Sequence, residues 1–183
     1  MKTLQFKKLQ IFFLSLGLAL SFSLSAQIGG WNPELVKDSQ EALNNMIKAT
    51  PKLQTFKSKA YGYVVFPKVT KAGVGIGGAA GSGAVFKNKA VVGSANLKQA
   101  SIGFQLGGQQ YSEVIFFENK KAFDNFTNGK LKFGAQASAV AIKEGASIDA
   151  AYNNGVAVFT KTKGGLMYEA SIGGQHFKFK PKK

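Results

Sequence analysis

Between Leu35 and Ile47 the apolar positions recur at helical spacing. Leu35, Val36, Ala42, Leu43, Met46 and Ile47 share one face, and Lys37, Asp38, Gln40, Glu41, Asn44, Asn45 and Lys48 take the other. Asn32-Pro33 stands just before them, a capping residue followed by proline in the first turn, which predicts a helix over about 33–49. Pro51 ends it or begins a short second turn. From Tyr61 onward the period becomes that of strands. Tyr61 to Phe66 is an aromatic and β-branched run closed by Pro67, and Val74 and Ile76 then alternate with Gly73, Gly75 and Gly77. Gly81-Ser82-Gly83 reads as a turn into Ala84 to Phe86, and Asn88 as another before Ala90 to Val92. Ser101 to Gly107 and Glu113 to Glu118 read as strands, and Lys120 to Phe126 as a short helix with Gly129 just beyond its end. Phe133 to Ile142, Ser147 to Tyr152, Gly155 to Thr160, Leu166 to Ile172 and His176 to Phe179 complete a strand-rich second half, with hairpin turns at Asn153-Asn154-Gly155 and Lys163-Gly164-Gly165. Connections this short require mostly antiparallel pairing. The expectation is one α+β domain: an antiparallel β-rich sandwich or barrel-like sheet with an N-terminal amphipathic helix and one short internal helix. Ala100-Ser101-Ile102-Gly103 recurs as Ala170-Ser171-Ile172-Gly173, which suggests two equivalent strands of one sheet.

The chain's first residues follow a different pattern. Lys2, Lys7 and Lys8 precede an apolar run from Ile11 to Leu20 and a small-residue segment ending at Ala26. That is the layout of a secretory signal peptide, so 1–26 is expected to be removed and 27–183 to form the domain, exported to the periplasm or cell envelope. Removal takes three of the formal +15 charges and leaves +12, carried by lysine alone since the chain has no arginine. Such a charge favours anionic partners. The missing arginine and the export signal both argue against sequence-reading nucleic-acid binding. With no cysteine, the fold has to be held by its core.

Gly73, Gly75 and Gly78 match the spacing G-x-G-x-x-G, yet the nucleotide fingerprint fails on context. It needs a helix after the loop and an acidic residue about 20 positions on, and no Asp or Glu lies between Glu41 and Glu113. Gly73, Gly75, Gly77, Gly78, Gly81 and Gly83 read instead as structural glycines, marking close backbone approach or a bend in a strand. His176 is the single histidine and has no acid near it in sequence. A zinc site of ordinary composition cannot be built, no catalytic set is recognised and no cofactor is implied. What the sequence offers is lysine beside turns: Lys68 and Lys71, Lys87 and Lys89, and Lys98, a positive rim if those turns share one end of the sheet. Each lysine near an anionic bilayer is worth about 1 kcal/mol.

Tyr61-Gly62-Tyr63-Val64-Val65-Phe66-Pro67-Lys68-Val69-Thr70-Lys71-Ala72-Gly73 with the glycines after it resembles the opening block of the SYLF lipid-binding domain. Ala100 to Gln109, Lys132 to Ser138 and Lys163 to Met167 resemble its second, third and fourth blocks. The resemblance implies non-enzymatic binding of anionic phospholipid or phosphoinositide-like head groups, with Lys37, Lys48, Lys68 and Lys71 as candidate contacts carried over by position. Export makes an envelope phospholipid the expected partner. The segment Val92 to Leu97 departs from the family pattern in lacking a Trp- and Pro-containing loop. Two rival readings remain at this level: a small outer-membrane β-barrel or structural envelope protein, and an envelope hydrolase using His176.

Overall fold

The computed structural model describes residues 32–103, 108–134, 137–143, 152–162 and 170–182. Helix α1 spans Pro33–Ala49, α2 Leu53–Lys59 and α3 Lys120–Thr127; the strands are β1 Gly62–Lys87, β2 Ala90–Gly103, β3 Gln109–Phe117, β4 Ser138–Ala141, β5 Val156–Thr162, β6 Ala170–Ser171 and β7 Gln175–Pro181. Seven strands form one sheet in the order β6-β4-β5-β3-β1-β2-β7. All pairs are antiparallel except β4 with β5. The sheet is open, with β6 and β7 at its edges, so the described ladder is not the closed one that a transmembrane barrel needs. The α+β class holds, with α2 as a helix beyond the two expected. The proposed signal segment, Phe104–Gly107, Ser147–Ala151 and the Lys163-Gly164-Gly165 turn lie outside the described residues.

Strand β1 organises the fold. Its 26 residues would extend roughly 85 Å if straight. Instead its two ends meet. A Cβ placed on Gly62 would lie 2.9 Å from the Phe86 carbonyl oxygen, one on Gly83 2.4 Å from that of Val65, and one on Gly81 2.8 Å from that of Lys68. The first arm, Gly62–Lys71, pairs with β3, and the second, Gly75–Lys87, pairs with β2. The reversal is centred between Lys68 and Gly81, where Gly73, Gly75, Gly77 and Gly78 fall.

Two sequence expectations are corrected here. Gly81-Ser82-Gly83 is not a turn but strand backbone pressed against the opposite arm, where a side chain at Gly81 or Gly83 would strike a carbonyl, while the Ser82 hydroxyl turns the other way to donate to Asn96 Oδ1 at 3.0 Å. Pro67 does not close the first strand either. It sits at a bulge where three steps along β1, from Phe66 to Val69, match two along β3, from Glu113 to Tyr111. Its carbonyl accepts a 2.8 Å hydrogen bond from the Ser112 hydroxyl. The Asn88 turn holds as expected: Asn88 and Lys89 have φ of 50° and 67°, the left-handed pair of a tight hairpin. The strands expected on either side of Gln99 are one continuous β2. The Ala-Ser-Ile-Gly copies lie in the same sheet, but the second leaves β6 at Ile172 for a turn.

Folding the sheet over gives it two covered faces. Val64, Phe66, Val85, Leu97, Ile115, Phe117 and Phe177 face the interior, where Phe123 and Phe126 of α3 cap them. Phe126 packs its ring 4.9 Å from Phe117 and 5.5 Å from Phe177. On the other face, Leu43 and Met46 of α1 cover Val65, Ala84, Phe86 and Phe116. Asn32 caps α1 by accepting from the Leu35 N–H. Ser39, fully buried, joins the arms of β1: its hydroxyl donates to the Val65 carbonyl at 3.1 Å and accepts from the Ala84 N–H at 3.2 Å.

Candidate functional site

Helix α2 creates the site that the sequence patterning passed over. Leu53 is fully buried, and the Phe56 ring sits 5.0 Å from Phe159, 5.5 Å from Tyr152 and 5.8 Å from Phe116. These anchors fix the helix roll and leave Lys57 and Ser58 against the β1–β2 turn. Two cavities of about 450 and 360 Å³ meet there, sharing Lys57, Ser58, Tyr63 and Lys89 as lining. Tyr63 stacks on Phe86 at 4.8 Å and forms an aromatic floor, with burial pushing its phenol pKa up. Lys89 stands at the exposed tip of the turn, and the Lys87 ammonium lies 5.1 Å from the Tyr61 ring centroid. Among the described residues, neither cavity is lined by a carboxylate.

The other sequence-predicted lysines are dispersed. Lys48 and Lys68 share a groove of about 630 Å³ with Lys161, whose ammonium donates to the Asn45 carbonyl at 3.3 Å. Asp38 and Glu41 line the same groove and offset its charge. Lys37 is exposed on α1, and Lys98 is exposed on β2 opposite His176 of β7. Lys71 is 7% exposed, two residues beyond the buried Val69 on the same face of β1, and burial lowers its pKa. Its ammonium is therefore not presented to a surface; Lys68, in the same strand, is exposed, and neither lies in a turn after Pro67. A single rim of turn lysines is not assembled: the reversal of β1 puts Lys68 beside Gly81, six strand residues from Lys87. Sequence reading missed Lys57; the Leu53, Phe56 and Ala60 spacing after Pro51 was its signal.

The interior holds one ionisable surprise. Glu113 is 0% exposed and accepts a 3.0 Å hydrogen bond on Oε2 from Gln175 Nε2, across the interior from β7 to β3. Burial pushes its pKa up to about 7, against the opposing pull of the Gln175 hydrogen bond. Gln99 stands opposite Gln175 in the β2–β7 register, and its amide donates to the Ser171 and Gly173 carbonyls at 2.9 Å each. Glu113 Oε1, Gln175 Oε1 and Gln99 Oε1 are buried without a partner. His176 is exposed on β7, on the opposite face from Gln175 and Phe177. Among the described residues, no group of three or more His, Cys, Asp or Glu is placed to hold a metal ion.

These features define an α+β protein with a folded-over, mostly antiparallel sheet, with the Lys87 ammonium set over the Tyr61 ring beside the Lys57–Lys89 cleft. Residues 98–182 match the profile of the Ysc84 family, described as "Las17-binding protein actin regulator". That segment is similar to the Ysc84 (SYLF) family, which is associated with lipid binding and actin regulation. The second to fourth resemblance blocks fall within the matched segment, and the first precedes it. The chain is also 29% identical over 161 residues to Beta cell expansion factor A of Aeromonas veronii, an alignment covering 80% of this chain. It spans 59% of that relative's length.

Proposed function

We propose that the protein binds anionic phospholipid at a membrane surface through the cleft of Lys57 and Lys89, with Lys59 and Lys87 beside it, and that it does so without catalysis. The observation that carries this reading is that, among the described residues, no carboxylate lines the cleft, in contrast to the groove of Lys48, Lys68 and Lys161. Four lysines held near an anionic surface contribute about 1 kcal/mol each, about 4 kcal/mol together or roughly millimolar association, to which the general positive field of the chain adds. The family's association with lipid binding supports the same reading. The basic start, apolar run and small-residue segment of 1–26 support export, which makes envelope phospholipid the target. The protein, freed of residues 1–26, is expected to sediment with phosphatidylglycerol vesicles at 50 mM salt and to be released at 0.5 M, where charges more than a few ångströms apart are screened. Sedimentation with pure phosphatidylcholine that equals sedimentation with phosphatidylglycerol would remove the electrostatic basis of the proposal.

A further inference from the structure

A third cavity, of about 640 Å³, opens on the other side of the molecule between α3, β4 and β5, and shares no lining residue with the Lys57–Lys89 cleft. Its construction is local. Gly129, at φ 68°, ends α3, and the N–H groups of Lys130 and Leu131 both bond the Asn125 carbonyl, at 2.7 and 3.0 Å. This turns residues 130–134 along the mouth. Opposite, the Asn153-Asn154-Gly155 turn brings Val156 and Val158 of β5 into the wall. Ile172 closes the floor, its N–H bonded to the Ala137 carbonyl at 2.9 Å.

The lining is mixed: Leu131, Phe133, Val140, Val156, Val158 and Ile172 supply an apolar strip, and Asn125, Ser138, Asn153 and Asn154 supply polar groups. Two exposed ammonium groups, Lys130 and Lys132, stand at the mouth, and among the described residues no carboxylate lines it. The volume falls within the range of small-molecule pockets. An acyl chain can lie against the apolar strip of β5, and the two ammoniums at the entrance favour an anion. We infer that this cavity takes a single-chain amphiphile, its acyl chain against the β5 wall and its anionic head between Lys130 and Lys132. The shared chemistry is one acyl chain and one negative head, supplied by a free fatty acid or by an anionic lysophospholipid. This goes beyond membrane-surface binding and does not depend on it.

The test titrates the full chain with palmitate and, in a second arm, with lysophosphatidylglycerol, each kept below its micelle concentration and followed by calorimetry. Saturable one-to-one binding of either is expected, and the tighter arm identifies the source of the head group. Lys130→Glu with Lys132→Glu, both at exposed positions, is expected to weaken binding at least tenfold while the melting temperature holds. Val158→Trp, which fills the cavity, is expected to abolish it; the exposed double variant keeps the test decisive if the tryptophan disturbs folding. No saturable binding in either arm, or binding unchanged in the double variant, overturns the assignment. Lys57→Glu with Lys89→Glu is expected to leave palmitate binding intact. Failure of vesicle sedimentation with palmitate binding retained thus removes the surface proposal alone.

Discussion

Replacing Glu113 with Gln is expected to stabilise the protein at pH 8 and to change little at pH 5. The carboxyl is fully buried and held at a pKa of about 7, against about 4.3 in an unfolded chain. Because the folded value is the higher one, the native state keeps the proton that the unfolded state has already released. Stability linked to this group is therefore complete below about pH 4 and falls as pH rises to about 7, where the loss levels off. The displacement corresponds to about 4 kcal/mol in full, of which about 2 to 3 is lost between pH 5 and pH 8 by the same linkage. Glutamine cannot ionise. It keeps an acceptor for Gln175 Nε2 and brings an N–H₂ group to a neighbourhood where Gln175 Oε1 and Gln99 Oε1 have no donor. Urea unfolding of wild type and Glu113→Gln at pH 5, 6, 7 and 8 measures the difference directly. The variant is expected to show a nearly level profile, crossing above wild type as pH rises. A wild-type profile that is level between pH 5 and 8, or a variant less stable than wild type at pH 8, would refute the buried-carboxyl argument.

The remaining expectations concern the folded-over sheet and its helix. Gly83→Ala drives a methyl into the Val65 carbonyl and is expected to cost about 3 kcal/mol or to prevent folding, read from urea midpoints. Gly134→Ala, where a Cβ would meet nothing within 4 Å, is the matched control and is expected to be near neutral. Ser39→Ala leaves the Val65 carbonyl and the Ala84 N–H without their shared partner, a loss of about 1–3 kcal/mol in the same assay. Asn32→Ala removes the α1 cap and is expected to lower stability by about 1 kcal/mol, visible as a lower melting temperature.

Local signals in the chain were legible where one residue decides one geometry. Asn32-Pro33 marked the start of α1, Asn119 and Gly129 bracket the short α3, and Asn88 and Asn154-Gly155 mark hairpins at positive φ. The same logic misled at Pro67 and Gly81-Ser82-Gly83. Proline and glycine usually punctuate strands, but here one fits a bulge and the others permit contact between the two arms of β1, a pairing with no sequence-local signature. The glycine spacing of a nucleotide loop proved to be the place where a strand reverses. Lysine function was legible only as composition. Which lysines gather depends on the reversal of β1 and on the seat of Phe56, and both are tertiary; so Lys57 was missed and Lys71, read as a surface contact, lies inside. Glu113 sat in a strand of apolar neighbours, Val114 to Phe117, and its alternation with Tyr111 and Ile115 pointed inward. That alternation was readable; its partner Gln175, 62 residues away, was not.

The central claim is that the Lys57–Lys89 cleft, and not net charge alone, meets anionic lipid. Lys57→Glu with Lys89→Glu and Lys98→Glu with Lys178→Glu change the charge equally, the second pair on the exposed face of β2 and β7. The decisive measurement is the partition of both variants and wild type onto phosphatidylglycerol-rich vesicles at fixed ionic strength. The account predicts that the cleft variant loses tenfold or more of its partition coefficient, about 1.4 kcal/mol, while the β2–β7 variant loses clearly less. Equal losses from the two pairs would contradict it and leave the general positive field as the whole of the interaction.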